Sequence, residues 1–431
     1  MLQPDSQPEP REEEEPNFAA FVAIDWADQK HVWVLQRAGS QAREHGELDQ
    51  APEAVEAWMQ ILLQRFGGQP VAVCLEQSRG ALVYLLMKYP TLVLYPLHPA
   101  AVKRFRAALY PAGTKDDPLD AELQLELLVH HRRRLRAWTP DTVETRSLQI
   151  LAEHRRQLVD QRTGESNRLT QALKLYYPQA LGWFDKVVSP LAGAFLQRWP
   201  TLELAQKARP QTLRDFFYRH NCRNAELIQQ RIEEIGQAMP ATQDPAILRT
   251  CVLQVKHLIQ SIALLRDSIA ELEQEIDKLV QSHPDFAVFD SFPGAGEALT
   301  PRLIAAFGTQ RERFSGAVDV QSFSGIAPVT CRSGKSERVH FRWACPKFVR
   351  QTFHEWAGHS IGFCEWARLY YQQQRDKGAK HHAAVRSLAA KWIRIAYRCW
   401  KDRTPYDEQI YLDALRRHGS PLAAKLAPAK G

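Results

Sequence analysis

The sequence predicts an α/β domain followed by a long helical segment and a mostly helical C-terminal domain. Three observations carry this expectation. Between residues 17 and 136, β-type runs alternate with helical patterns. Two later stretches, 141–177 and 244–282, keep a helical apolar period without interruption. From residue 284 onward, aromatic and basic residues mix within further helical patterns. At 431 residues the chain is also too long for one ordinary core.

The elements follow in order. "FVAIDWA" and "HVWVLQRA" are rich in β-branched and aromatic residues and are separated by a short polar turn, which predicts a hairpin. A third strand is expected near "AREHGEL". "PEAVEAWMQILLQRFG" opens with proline and closes with glycine, the punctuation of a helix. "PVAVCLE" is a short apolar run, read as a buried strand. "GALVYLLMKY" reads as a helix, "TLVLYPL" as a strand, and "PAAVKRFRAAL" and "DPLDAELQLELLVHHRR" as two more helices. An antiparallel three-strand start, continued by parallel strands with helical crossovers, is the order of the ribonuclease H-like fold.

The stretch 141–177 carries apolar Leu148, Leu151, Leu158 and Leu169 among charges. In 244–282, Ile262, Leu265, Ile269, Leu272, Ile276 and Leu279 recur at alternating spacings of three and four, the pattern of a coiled-coil seam. A dimerisation arm and a helical bundle within one protomer both satisfy this pattern. "FPGAGEALTPRLIAAFG" places Gly294 and Gly296 between apolar segments. That arrangement resembles a helix-hairpin-helix, whose turn offers backbone N–H groups to a DNA phosphate; a plain glycine turn before a helix reads equally well. After Pro405 helical character fades. The resulting plan is an acidic, disordered tail at 1–16, an α/β domain at 17–140, a helical spacer at 141–283, a C-terminal domain at 284–410 and a loose tail at 411–431.

Charge narrows the function. Residues 1–16 hold six acids and one arginine, so removing that −5 from the overall +7 leaves +12 on the remainder. A basic body points to a polyanionic partner, most often nucleic acid. The seven cysteines include no C-x-x-C pair, which argues against a zinc ribbon or disulfide framework and fits a reducing cytoplasm. "HEWAGH" sets His354 and His359 five apart, not the four that a helical zinc motif needs. The acidic start is no signal peptide, and "CVLQVKHLIQSIALL" carries too many polar residues to span a membrane.

The chemistry-bearing residues are acidic. Asp25 lies in the first predicted strand, Glu76 ends the "VAVCLE" strand, and Asp117 and Asp120 open a helix in "KDDPLDA". In a ribonuclease H-like sheet the first and fourth strands are neighbours, so Asp25 and Glu76 fall side by side. Asp117 and Asp120, three apart, share a helix face. N-capping explains the second pair but not a lone acid inside each of two apolar strands. Converging carboxylates require cations, and hard oxygen ligands suit Mg²⁺, with Mn²⁺ as its substitute. Asp28 and Asp116 can exchange roles with their neighbours.

"AIDWADQKHVWVL", "CLEQSRG", "HPAAVKRFRAAL" with "KDDPLDA", and "FPGAGEALTPRLIAAFG" with "SFSGIAPVTCRSGKS" occur in one order along residues 20 to about 410. In that order the chain resembles the bacterial insertion-sequence DEDD transposases of the IS-one-ten and IS-eleven-eleven type, which include the Piv DNA invertases. The resemblance implies a RuvC-like N-terminal domain joined through a coiled coil to a transposase domain. It implies that Asp25, Glu76, Asp117 and Asp120 form a metal-binding tetrad, and that Ser333 of the Ser-Gly pair is a nucleophile; Ser336 is its rival. It further implies a structured non-coding bridge RNA that pairs with donor and target DNA. Homo-oligomers, from dimer to tetramer, with active sites shared between protomers, complete the expectation.

On spacing alone, Ser333 is a turn residue. Arg332, Lys335, Arg338, Arg342, Lys347 and Arg350 around it are suited to neutralising a phosphodiester, as are Lys103 and Arg104 in the first domain. Phe341, Trp343 and Phe348 offer rings for exposed bases. Two competing readings remain: a RuvC-like junction nuclease acting through metal-activated water, and a non-catalytic nucleic-acid-binding protein.

Overall fold

The structure is a computed structural model that describes residues 17–77, 79–109, 117–334 and 336–426, with Asp117 described in its backbone alone. The tail expected at 1–16 and the final residues 427–431 lie outside the described residues. The chain forms two compact units, one up to Pro140 and one from Asp141.

In the first unit, strands β1 (Ala20–Asp25), β2 (Lys30–Arg37) and β3 (Arg43–Asp49) precede helix α1 (Pro52–Phe66) and strand β4 (Val71–Leu75). Helix α2 (Ala81–Leu86), strand β5 (Leu92–Pro96) and helices α3 (Pro99–Leu109) and α4 (Asp117–His131) follow. The five strands lie in the order β3-β2-β1-β4-β5. The pairs β1–β2 and β2–β3 are antiparallel, and β1–β4 and β4–β5 are parallel. The apolar runs explain this sandwich of layers. Along β1, Val22 and Ile24 join Val55, Met59, Leu82 and Leu86 of α1 and α2 in one core. Ala23 points the other way, into a core with Ala72, Cys74, Val102, Ala121 and Leu125. Both faces are therefore covered, which is why β1 and β4 read as continuous apolar runs. The small side chains of Ala23, Ala72 and Cys74 face α4, and the Cys74 thiol donates to the Gln124 carbonyl at 3.3 Å. At β3, a Cβ on Gly46 would meet Trp33 Cζ2 at 2.3 Å, so the indole lies where any larger residue would stand.

In the second unit, α5 (Val143–Tyr176) starts at an N-cap, Thr142, whose hydroxyl accepts from the Thr145 amide. Helices α6 (Ala180–Trp183), α7 (Pro190–Arg198), α8 (Leu202–Gln206), α9 (Pro210–Arg219) and α10 (Ala225–Gln237) lead to α11 (Pro245–Gln281). Helices α5 and α11 pack along each other. Thr145 bonds His283 and Arg155 bonds Glu273, while Leu169 shares a core with Ile262, so the two helices run antiparallel. Ile262, Leu265, Ile269 and Ile276 of the predicted seam are buried, and the helix that packs along them is α5 of the same chain. One end of the pair contributes Leu169, Leu173 and Val255 to a core with α6 to α10. The other end contributes Leu148, Ile276 and Val280 to the C-terminal core.

That C-terminal core gathers α12 (Phe286–Asp290), α13 (Gly296–Phe307), α14 (Ala317–Phe323), α15 (Lys347–Phe363), α16 (Glu365–Asp376) and α17 (His381–Asp402). Trp356, Trp366, Trp392 and Trp400 are fully buried at its centre. Each indole N–H finds an acceptor: the Pro293 carbonyl, the Tyr406 hydroxyl, the Ser360 hydroxyl and the Gly308 carbonyl respectively. Two features depart from the sequence expectation. A hairpin of β6 (Val329–Ser333) and β7 (Ser336–His340) interrupts the helices. Helix α18 (Glu408–Arg417) occupies the stretch expected to fade into a tail, capped by Asp407 and packed through Tyr411, Leu412 and Leu415. Among the described residues no helix is long and apolar enough to cross a membrane, and the seven cysteines are free thiols.

Candidate functional site

The parallel register of β1 and β4 builds the first candidate site. Ile24 pairs with Leu75, so the next residues, Asp25 and Glu76, leave the carboxyl ends of adjacent strands. Ligands of open α/β sheets sit at that end. Both residues are half-buried. Helix α4 packs against β1, β2 and β4 and carries Asp120, which is 4% exposed. Asp120 is ion-paired with Arg106 of α3. Gln124, one turn further along α4 and fully buried, donates from Nε2 to Asp25 Oδ1 at 3.0 Å.

The structure thus brings Asp25, Glu76 and the start of α4 to one end of the sheet. Asp117 is the first residue of α4, one turn before Asp120, but its side chain lies outside the described residues, as does the alternative Asp116. Asp28 is exposed in the β1–β2 turn. Among the described residues, no three His, Cys, Asp or Glu side chains are grouped closely enough to hold a metal ion. The donor set nonetheless suits a hard divalent cation: carboxylates, with the buried Oε1 of Gln124, which has no hydrogen-bond partner among the described residues. The Arg106 guanidinium now occupies Asp120 and would compete with such an ion. Lys103 and Arg104 are exposed on α3, the helix that supplies Arg106. Sequence reasoning missed both Arg106 and Gln124. Arg106 shares its helix with two other cations, and Gln124 is marked only by its spacing of four from Asp120.

The second candidate site is the β6–β7 hairpin. Ser333 and Ser336 are cross-strand partners on either side of a two-residue turn, in which Gly334 has φ +55°. Both serines are exposed, and among the described residues no side chain is hydrogen-bonded to either hydroxyl. The predicted cations divide by role. Arg338 and Lys347 are exposed, Arg332 pairs across the strands with Glu337 at 3.2 Å, and Lys335 lies outside the described residues. Arg342 is spent on structure, donating to the Ala327 and Pro328 carbonyls at 3.2 and 3.5 Å. Arg350 donates to the Arg342 carbonyl and stands 4.8 Å from the centroid of the Phe341 ring.

The aromatics divide likewise. Phe341 is also approached by Arg386 of α17 at 5.1 Å, and it meets Trp343 edge-on with centroids 4.9 Å apart. Trp343 is 79% exposed. Phe348 turns inward instead, beneath the buried Arg302 guanidinium at 5.1 Å, and is removed from the base-stacking set. Arg386 was not anticipated, although "HHAAVRS" places it with His381 and His382 on the first turns of α17. His354 faces His382 with centroids 5.3 Å apart, and its pKa is lowered by burial first and then by His382 and Arg386.

Of the two glycines in the turn before α13, Gly294 is held by packing. Gly294 has φ +76°, and a Cβ there would stand 2.9 Å from the Ser360 amide nitrogen of α15. Gly296, at φ +54°, opens α13 in free space, followed by the acidic Glu297. Leu299 to Phe307 are buried without interruption.

Comparison with known proteins accords with both halves of this architecture. Residues 22–178 match the DEDD-transposase model of the IS110 type, described as a transposase. Residues 287–372 match a second model, described as the transposase IS116/IS110/IS902 family. The chain is 26% identical over 405 residues to the mini-circle putative transposase for IS117 of Streptomyces coelicolor, covering 92% of this chain and 97% of that protein. It is 26% identical over 368 residues to the insertion element IS110 uncharacterized 43.6 kDa protein of the same species, covering 81% and 86% of the two chains. An IS900 insertion-element protein of Mycobacterium paratuberculosis, uncharacterized and of 42 kDa, is 25% identical over 313 residues, covering 72% and 77%. With an acid-bearing α/β unit matched by one transposase model, a helical unit matched by another, and relatives aligned through both, the chain belongs to the IS110-type transposase family, whose members recombine and transpose DNA.

Proposed function

We propose that this transposase cuts and rejoins DNA through a covalent serine intermediate, with a divalent metal held by Asp25, Glu76, Asp117 and Asp120. The observation that carries the reading is the β1–β4 register, which sets Asp25 and Glu76 at neighbouring strand ends with α4 packed across β1 and β4. The strand order β3-β2-β1-β4-β5, antiparallel then parallel, supports a ribonuclease H-like, RuvC-like classification of this unit.

In the proposed reaction, Ser333 Oγ attacks a scissile phosphodiester. An O–P bond to serine forms and the bond to one strand breaks, leaving a free hydroxyl on that strand. A hydroxyl is a poor nucleophile at neutral pH and requires activation. A divalent ion at the carboxylates, Mg²⁺ or Mn²⁺, supplies Lewis acidity that acidifies an oxygen nucleophile or stabilises a departing oxygen. Reversal by the hydroxyl of an exchanged strand restores the phosphodiester and releases serine. Bond energy is conserved, so no external energy source is consumed. Arg338 and Lys347 are available to phosphates, and the exposed Trp343 to bases, while Phe341 holds Trp343 edge-on and is itself covered by Arg350 and Arg386. Guidance by a structured bridge RNA and assembly into dimers or tetramers belong to the same proposal, on the strength of the family resemblance and the basic charge of the body. Retained RNA, recovered from the purified protein and sequenced, tests the first; light scattering with and without that RNA tests the second.

The decisive experiment incubates end-labelled DNA with protein and resolves it on a denaturing gel. Wild type gives a protein-linked product, Ser333→Ala gives none, and Asp120→Asn loses recombination with Mg²⁺ present. Cleavage by Ser333→Ala without a protein-linked product would favour the water-dependent nuclease.

A further inference from the structure

We infer that Gln124 is a positioning residue for Asp25, a member of the acidic site beyond the four carboxylates; the inference rests on the metal reading above. Gln124 follows Asp120 by four residues on α4, so the two side chains leave the same face of the helix. It is fully buried, and its Nε2 ties α4 to the last residue of β1 through Asp25 Oδ1 at 3.0 Å. Chemistry fixes the amide orientation, because the reverse would press Oε1 against a carboxylate oxygen. With Nε2 so committed, Oε1 is buried and has no hydrogen-bond partner among the described residues. A buried acceptor without a donor costs stability, which an apolar residue in the same place would not. Leu123, Leu125 and Leu128 on the same helix show that the layer accepts such residues. The glutamine is explained by what it holds.

A carboxylate that ligates a cation must present its lone pairs in a fixed direction. A donor on Oδ1 fixes the carboxylate plane of Asp25 and therefore that direction. A neutral amide does so without bringing a positive charge to compete with the metal, as lysine or arginine would. Oε1 adds a hard oxygen acceptor of the kind that Mg²⁺ and its hydration shell favour.

The test is a Mn²⁺ titration of the full chain by isothermal calorimetry, with free Mn²⁺ counted in parallel by electron paramagnetic resonance. Gln124→Met keeps the side-chain volume and removes donor and acceptor; Gln124→Leu serves if the methionine variant fails to fold. Wild type binds Mn²⁺, and Gln124→Met binds it roughly 10-fold more weakly while its melting temperature is unchanged or higher. A structural filler would show no change in Mn²⁺ affinity, and equal affinity in the two proteins overturns the inference while leaving the metal reading intact. Absence of Mn²⁺ binding by wild type overturns both.

Discussion

Arg106→Met removes the cation paired with Asp120 and keeps most of the aliphatic volume. The Asp120 side chain is 5% exposed and that of Arg106 is 20% exposed, so the pair is largely shielded from water. Removing one partner of such a pair leaves a buried carboxylate and costs about 3 kcal/mol. In a unit of this size that loss lowers the unfolding transition by about 10 °C. If Asp120 is a metal ligand, a divalent ion can replace the lost charge. Mn²⁺ at about one hundred times its Kd contributes roughly 2.7 kcal/mol, close to the whole deficit. In wild type the ion must compete with the guanidinium, so its effect is smaller. Differential scanning calorimetry of both proteins, with and without MnCl₂ at low ionic strength, measures the four transitions. The expected result is a depressed variant restored nearly to the wild-type temperature by Mn²⁺. An Arg106→Met transition that Mn²⁺ moves no further than it moves wild type would refute the reasoning, because the carboxylate would then be indifferent to the ion. Adding Asp120→Asn to the variant should recover stability without metal and weaken the response to it.

Trp343→Ala should weaken binding of a labelled single-stranded oligonucleotide by about 2 kcal/mol, roughly thirty-fold, in fluorescence anisotropy at fixed salt. Its melting temperature should not change, since the ring is 79% exposed. Burial alone would raise the Glu355 pKa, but hydrogen bonding and charge from Arg302, with Arg156 beside it, hold it below its ordinary 4.5. The sign follows: the stabilisation by Glu355 is full above the unfolded value and is lost as pH falls through the lower folded one. Urea titrations of wild type and Glu355→Gln should therefore differ at pH 7 and converge in strong acid. Asp285→Ala should destabilise the second unit by about 3 kcal/mol in the same assay, because it strands Arg311, which is bonded to both Asp285 oxygens and 4.8 Å from the Trp400 ring.

The elements of the first unit were legible because each is written in local chemistry. Pro52 and Gly67 bracket α1, the runs of β1 and β4 are apolar on both faces, and Pro118 marks the first turn of α4. The β6–β7 hairpin was illegible because almost every residue in it is exposed, so no apolar alternation marks it; only the Ser-Gly turn gives a signal. Helix α18 escaped for a similar reason, since it buries none of its residues fully and lies behind Pro405. The seam of α11 was visible in sequence, but its occupant was not: period and spacing say that a face is covered, not by which helix. At the acidic site the two carboxylates stood out as lone acids in apolar strands. Gln124 and Arg106 did not, because a glutamine or an arginine in a helix is ordinary until burial and partners are known.

The central claim is that Ser333 of the hairpin becomes covalently bonded to DNA. Trapping the reaction, digesting the DNA to a residual nucleotide and cleaving the protein with trypsin separates the two candidates. Cuts after Arg332, Lys335 and Arg338 put Ser333 and Ser336 on different tripeptides. Mass spectrometry should find the nucleotide on Ser333–Lys335; a nucleotide on Ser336–Arg338, or cleaved DNA with no modified peptide, would contradict the account.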